Sequence, residues 1–90
     1  MRFAWDRRKA AANLRKHGVS FDEASSVFFD PLSITGADPD HSVGEMRWIT
    51  FGLASNGRAL AVSHADSGDM IRIISARRMT RIERNLYEEE

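Results

Sequence analysis

Residues 71–87 read IRIISARRMTRIERNLY, and this stretch decides the fold because it passes from strand to helix. Its first half is rich in β-branched residues, which favour a strand over Met70–Ala76. Thr80 and Glu83 then form a capping box, which predicts a helix over Arg81–Glu88. The junction carries five arginines, at positions 72, 77, 78, 81 and 84. Because a guanidinium group matches phosphate and carboxylate bidentately, the stretch indicates a site or a surface for an anionic partner.

The first third of the chain predicts two helices. Asp6 is placed to cap a helix over Arg7–His17, and Gly18 is placed to end it. A Ser-x-x-Glu capping box then predicts a second helix over Phe21–Phe29, which an Asp-Pro pair ends.

The remaining chain between the helices predicts strands joined by turns. The strand candidates are Leu32–Thr35, Glu45–Leu53, Ala59–His64 and Met70–Ala76. A polar loop through Pro39 and His41 separates the first two, and Asn-Gly and Ser-Gly-Asp turns separate the others. The predicted order is α-α-β-β-β-β-α, an α+β fold with a small antiparallel sheet packed by helices. Residues 1–90 make a single domain, because a chain this short fills one core.

Charge is distributed unevenly although 13 Lys/Arg balance 13 Asp/Glu. Residues 1–18 hold six Lys/Arg and one acid, and residues 71–87 hold five arginines and one acid. Residues 19–45 hold six acids and no Lys/Arg. If the two basic segments meet in space, they form a positive face suited to RNA or another polyanion.

Several classes of function are excluded or disfavoured by composition. With no cysteine, disulfides and thiolate chemistry are excluded, which fits a cytoplasmic protein. No apolar run is long enough for a membrane span, and the N-terminus lacks the apolar core of a signal peptide. The histidines are too far apart in sequence to suggest a metal site, and no glycine-rich phosphate loop is present, so we expect no metal and no cofactor.

Chemistry by positive charge and proton transfer remains. Cleavage of RNA by its own 2′-hydroxyl needs a base, an acid for the leaving 5′-oxygen and positive charge beside the phosphorane. The candidates for charge are Arg47, Arg72, Arg77 and Arg78, and those for proton transfer are His17, Lys9 and Glu45. In a regular strand Arg72 and Arg77 lie on opposite faces, so they converge only if the strand bulges or ends between them.

Each candidate also has a structural interpretation. Arg72 can pair with Glu45 across strands, and Arg77 can bridge to a helix end. His17 lies in the last turn of its helix, where it can bond free carbonyls as a half-buried structural residue. Arg81 and Arg84 are expected to be solvated on the last helix. We expect no function for His41 and His64. Trp5 and Trp48 are expected to be core residues rather than surfaces on which bases stack.

Three blocks of sequence resemble a known family over nearly the whole length. The first runs Phe3-x-Trp5-Asp6-x-x-Lys9-x-x-x-Asn13-x-x-Lys16-His17-Gly18-Val19-x-Phe21-x-x-Ala24, the second is Glu45-x-Arg47 with Gly52, and the third is Ile71-Arg72-Ile73-Ile74-Ser75-Ala76-Arg77-Arg78-x-Thr80-x-x-Glu83-Arg84-x-x-Tyr87. Together they are similar to BrnT-type toxins.

This resemblance implies a RelE-like ribonuclease toxin of a bacterial type II toxin–antitoxin pair, which inhibits translation by cutting RNA without a metal. It implies a BrnA-type antitoxin in a hetero-oligomer, with DNA contacted only through that antitoxin. On the family motifs and the residue chemistry, the catalytic candidates are His17, Arg47, Arg72 and Arg77, with Glu45 also in the family pattern. RNA contacts are expected from Lys9, Asn13, Lys16, Ser75 and Arg78, and antitoxin contacts from Arg81 and Arg84. The alternative is a non-catalytic module that docks an antitoxin or nucleic acid through its basic face.

Overall fold

A computed structural model describes residues 1–38 and 45–89. Its helices are α1 (Arg7–His17), α2 (Phe21–Ser25), a 3-10 helix (Ser26–Phe29) and α3 (Arg81–Glu88). Its strands are β1 (Arg2–Ala4), β2 (Ile34–Ala37), β3 (Trp48–Leu53), β4 (Ala59–Ser67) and β5 (Met70–Arg78). They form one sheet in the order β1-β5-β4-β3-β2. The class is α+β, as the sequence predicted.

Local end signals place α1 and α3 where the sequence predicted them. The Asp6 carboxylate accepts the backbone N–H groups of Arg8 and Lys9, at 2.7 and 3.2 Å. Gly18 ends α1 in the left-handed conformation with φ 69°, which favours glycine because it has no Cβ. At α3 the Thr80–Glu83 capping box is present in both directions. These interactions satisfy backbone groups that a helix end leaves unpaired.

The predicted order was wrong at the N-terminus, because it lacked β1. This strand pairs in parallel with the start of β5, through Arg2 with Met70 and Ala4 with Arg72, so the sheet is not purely antiparallel. Three residues are too few to show a period of two in the sequence, and the partner lies near the other end of the chain. Strand β1 therefore forms through pairing with a distant segment of the chain, which local sequence patterns do not predict.

The bounds of several other elements differ from the predicted ones. The predicted helix over Phe21–Phe29 continues after Ser25 as the 3-10 helix, where the Ser25 and Ser26 hydroxyls donate to backbone carbonyls of the preceding turn. Strand β2 lies two residues later than predicted, β3 begins at Trp48, and β4 and β5 extend further. The predicted polar loop through Pro39 and His41 lies outside the described residues.

The hydrophobic core lies between one face of the sheet and the N-terminal helices. Phe21 and Val27 pack there against Leu60 and Ile73, all at most 2% exposed. Trp5 packs edge-on against Phe21 with ring centroids 6.0 Å apart, which agrees with its core interpretation. No helix within residues 1–38 and 45–89 is long and apolar enough to cross a membrane.

A β-bulge sets which side chains share the other face of the sheet. Ser63 pairs with Ser75, but its neighbour His64 pairs with Ile73, so β5 has one residue more than β4 at this point. The partners of Arg72, Ser75 and Arg77 are Ala65, Ser63 and Ala61, which alternate along β4. Arg72, Ser75 and Arg77 therefore lie on one face, which we call the arginine face. This is the bulged geometry that convergence of the two arginines requires.

Asn13 fixes α1 to the outer edge of β5. Beyond Arg72 the short strand β1 no longer covers that edge, so backbone groups there need other partners. The Asn13 amide nitrogen donates to the carbonyls of Ala76 and Val19 at 2.9 and 3.0 Å, and its oxygen accepts the Ala76 N–H at 3.1 Å. Asn13 thus replaces a neighbouring strand at this point.

We predict that Asn13→Ala lowers the free energy of unfolding by roughly 2–3 kcal/mol, because three buried backbone groups lose their partner. Urea denaturation measures the change. Asn85→Ala is the matched control, since Asn85 is exposed on α3, and it should alter stability by less than about 0.5 kcal/mol. Equal stabilities for the two variants would contradict the anchoring role.

Candidate functional site

Glu45 gathers two arginines at the end of the sheet near the start of β3. Arg72 approaches with its Nη2 2.6 Å from both carboxylate oxygens of Glu45. The Arg47 Nε lies 3.8 Å from Glu45 Oε1. We call Glu45, Arg47 and Arg72 the Glu45 cluster. It carries more positive than negative charge, so an additional anion is attracted to it.

The electrostatics of the Glu45 cluster extend to α1. The hydrogen bond from Arg72 lowers the pKa of Glu45 most, and the charges of Arg72, Arg47 and Lys9 lower it further. Lys9, in the first turns of α1, is therefore close enough to act on this carboxylate. Glu45 is exposed, so solvent screens these interactions and a polyanion can reach them.

Arg77 forms a second, separate ion pair. Its Nη1 and Nη2 bind the two oxygens of Glu83 at 2.7 and 2.9 Å. Glu83 also accepts the Thr80 N–H at 2.9 Å as part of the capping box, so the start of α3 fixes its carboxylate. The hydrogen bond from Arg77 lowers the pKa of Glu83 and raises the pKa of Arg77. Both groups are therefore charged at neutral pH.

The two ion pairs lie on the same face but at a distance. The β4 partners of Arg72 and Arg77 are four residues apart, which corresponds to roughly 13 Å along a strand. The half-buried Ser75 lies between them, opposite Ser63. Arg78 alternates to the other face, opposite the buried Leu60, and is itself exposed. The arginine face thus presents two cationic points with hydroxyl groups between them.

The other predicted residues on α1 are placed unequally. Lys9 and Lys16 are exposed, and Lys9 acts on the Glu45 cluster. Asn13 is 7% exposed and its amide is occupied by backbone groups, so its position favours a structural role. His17 is half-buried one helical turn beyond Asn13, and it makes no hydrogen bond or ion pair with any described residue. Of these α1 residues, Lys9 is therefore the one whose charge acts on the Glu45 cluster.

Helix α3 combines an anchor and an exposed apolar side. The Tyr87 hydroxyl donates to the Asp30 carboxylate, and burial together with this bond raises the pKa of Tyr87 to about 12. Ile82 and Leu86 are 72% and 59% exposed at helical spacing. A cavity of about 440 Å³ lies beside Leu86, and it is lined by Ile34, Phe51, Glu83, Leu86, Tyr87 and Glu89. Arg81 is exposed, and the Arg84 Nε donates to Glu88 at 3.1 Å.

Two residues were not recognised in the sequence. Glu83 was predicted only as a helix cap, although its position six residues after Arg77 allows the bridge across the strand–helix junction. His64 was expected to be incidental, but it is 1% exposed and bonded at both ring nitrogens. The signal for it was the spacing His64-x-Asp66, which puts both side chains on one face of a strand.

Comparison with known proteins agrees with the fold and the motifs. Residues 5–83 match the family described as ribonuclease toxin, BrnT, of type II toxin–antitoxin system. The crystal structure of the ribonuclease toxin BrnT from Brucella abortus is similar with a TM-score of 0.65, at 21% identity over 90% of this chain and 99% of that one. No curated protein sequence matches the chain. The family match covers most of the chain, so the protein belongs to the BrnT family of ribonuclease toxins of type II toxin–antitoxin systems.

Proposed function

We propose that the arginine face binds RNA and that the Glu45 cluster cleaves it without a metal ion, which inhibits translation in the cytoplasm. The observation that carries this proposal is the cluster itself, in which Arg72 and Arg47 contact one carboxylate whose pKa the charge of Lys9 also lowers. A phosphodiester is the natural competitor for such guanidinium groups, because it offers the same paired oxygens as a carboxylate.

In this mechanism a substrate phosphate replaces Glu45 on Arg72. Glu45 then loses the hydrogen bond that lowers its pKa most, so its basicity rises at the moment the substrate is bound. The freed carboxylate takes the proton of the 2′-hydroxyl, the 2′-oxygen attacks the phosphorus, and the bond to the 5′-oxygen breaks. The products are a 2′,3′-cyclic phosphate and a 5′-hydroxyl.

The cations have distinct roles in this proposal. Arg72 and Arg47 stabilise the charge that develops on the phosphorane oxygens. Lys9, or His17 if the bound RNA reaches it, gives the proton to the leaving 5′-oxygen. Arg77 exchanges Glu83 for a second phosphate of the same RNA, and Ser75 and Lys16 contact the RNA farther from the scissile bond. Arg78, which lies on the other face of the sheet, contacts the RNA only where it passes the end of β5. Asn13, whose amide is occupied, supports the site through β5.

We predict that Arg72→Ala reduces the rate of RNA cleavage by about 100- to 1,000-fold, since it removes the cation that meets the phosphate. Gel analysis of a labelled RNA measures the rate. Arg15→Ala is the matched control, because Arg15 is exposed two residues after Asn13 and so faces away from the sheet edge. Equal rates for the two variants would remove Arg72 from the site.

Glu45→Gln separates binding from catalysis. We predict that cleavage falls at least about 100-fold because the base is lost, whereas affinity for a 2′-O-methyl RNA is kept or increased because Arg72 is freed. Wild-type cleavage in EDTA should continue and should yield cyclic phosphate ends, which mass spectrometry identifies. A wild-type protein that leaves RNA intact, yet binds its antitoxin, would favour the non-catalytic binding module.

We further propose that a BrnA-type antitoxin docks on α3, forms a hetero-oligomer with the toxin and carries any contact with DNA. The exposed Leu86 lines a cavity, and the exposed Ile82 lies one helical turn before it, which suits an amphipathic segment of that partner. Arg81 and Arg84 begin the helix and Glu88 and Glu89 end it. A matching segment therefore carries an acidic side chain opposite the first turn and a basic one opposite the last.

The antitoxin surface is tested by titration calorimetry with the co-purified antitoxin. We predict that Leu86→Ala weakens binding about tenfold or more, and that Arg81→Ala and Arg84→Ala weaken it less, because exposed ion pairs contribute little. Leu14→Ala on α1 is the control, since Leu14 is similarly exposed at 52% against 59% for Leu86. Unchanged affinity in all three α3 variants would place the antitoxin elsewhere.

A further inference from the structure

We propose that His64 is a positioning residue that fixes the β-bulge and thereby holds Arg72 on the arginine face. The structural part of this inference stands without the proposed function, and only its consequence for RNA binding rests on that function.

The His64 side chain is buried, and both of its ring nitrogens have hydrogen-bond partners. Its Nδ1 lies 2.6 Å from Asp66 Oδ1, and its Nε2 lies 2.8 Å from Thr50 Oγ1. Phe28 packs edge-on against the ring with centroids 4.8 Å apart. The His64 side chain is 2% exposed. Because an ionised carboxylate only accepts, Nδ1–H donates to Asp66, and in a neutral ring Nε2 accepts from Thr50.

The network continues beyond the ring. Thr50 Oγ1 lies 2.7 Å from Thr35 Oγ1 on the neighbouring strand. The chain of bonds therefore joins β4 to β3 and β2 at the level of the bulge. A buried polar network that is fully satisfied specifies one arrangement, because a shifted strand would leave its members unpaired.

Hydrophobic burial alone does not specify the register of β5 at this point. With the bulge, Ile73 faces the core opposite His64 and is 1% exposed. Without the bulge, the register from Ser63 and Ser75 would continue and place Ile74 opposite His64. The two candidates for the core position opposite His64 are the same residue type, so burial at that position accepts either strand alignment.

The register without the bulge would misplace Arg72. Continuing the pairing from Ser63 and Ser75 puts Arg72 opposite Asp66, on the face that carries His64 and the helices. The guanidinium group would then meet Asp66 in place of Glu45. In the structure His64 already occupies the Asp66 carboxylate. Because Asp66 is bound to His64, it is not available to stabilise Arg72 on the face that carries the helices.

NMR of the purified protein measures the register of β4 and β5 directly. Wild type should show interstrand NOEs between the backbones of Ala65 and Arg72. In His64→Gln, which releases Asp66, we expect these NOEs to be replaced or joined by ones between Asp66 and Arg72. The double variant His64→Gln with Asp66→Ala should recover the wild-type pattern, because the competing acid is gone.

Asp66→Asn is the conservative control, since its amide oxygen still accepts from Nδ1–H and the register should stay. If His64→Gln does not fold, Thr50→Val tests the same claim by removing the bond at Nε2 with little change of volume. It should give a smaller population of the Asp66–Arg72 NOEs. Unchanged Ala65–Arg72 NOEs in His64→Gln, or in Thr50→Val should it replace that variant, would overturn the proposal.

A binding measurement shows whether the register matters for function. Affinity for a 2′-O-methyl RNA should fall in both His64→Gln and Arg72→Ala, no further in the first than in the second, and the double variant should be no weaker than Arg72→Ala. Additive losses would show that His64 acts on stability rather than through Arg72. If wild type does not bind this RNA, the proposed function fails while the NOE result still decides the role of His64.

Discussion

The extra residue that β5 carries opposite His64 determines which side chains the sheet can offer to a substrate. Strand side chains alternate, so Arg72 and Arg77 would face opposite sides of a regular strand. The bulge restores them to one face, with Ser75 between them. Because of this alignment, the Arg72–Glu45 pair and the bridge from Arg77 to α3 lie on the same face of the sheet. A distortion of one strand thus turns scattered basic residues into a single surface.

The acids on the arginine face orient its cations although the protein has zero net charge, which the proposed RNA binding needs. Glu45 and Glu83 hold Arg72 and Arg77 in place while no anion is bound. The Arg72–Glu45 pair is exposed and adds little stability, so exchanging its carboxylate for a phosphate costs little. The acids therefore act as internal counterions that keep the cations oriented. Glu83 also caps α3, which couples the Arg77 end of the face to the helix proposed to meet the antitoxin.

The sequence predicted those features that depend on interactions within a few residues, such as the ends of α1 and α3. The caps at Asp6, Gly18 and Thr80 fixed the bounds of α1 and α3, because each satisfies backbone groups within a few residues. The strand β1 and the bulge could not be predicted, since one depends on a distant partner and the other on a choice between adjacent isoleucines. Asn13 shows the same limit for the site, because its motif position does not reveal that β5 occupies its amide.

The most direct test of the account is a crystal structure with a 2′-O-methyl RNA, which can bind but lacks the attacking hydroxyl. We predict that a phosphate oxygen lies within hydrogen-bonding distance of Arg72 Nη2, and that Glu45 has left Arg72 and lies beside the methylated 2′-oxygen. A complex in which the Arg72–Glu45 pair stays intact, with the RNA bound to another face, would contradict it.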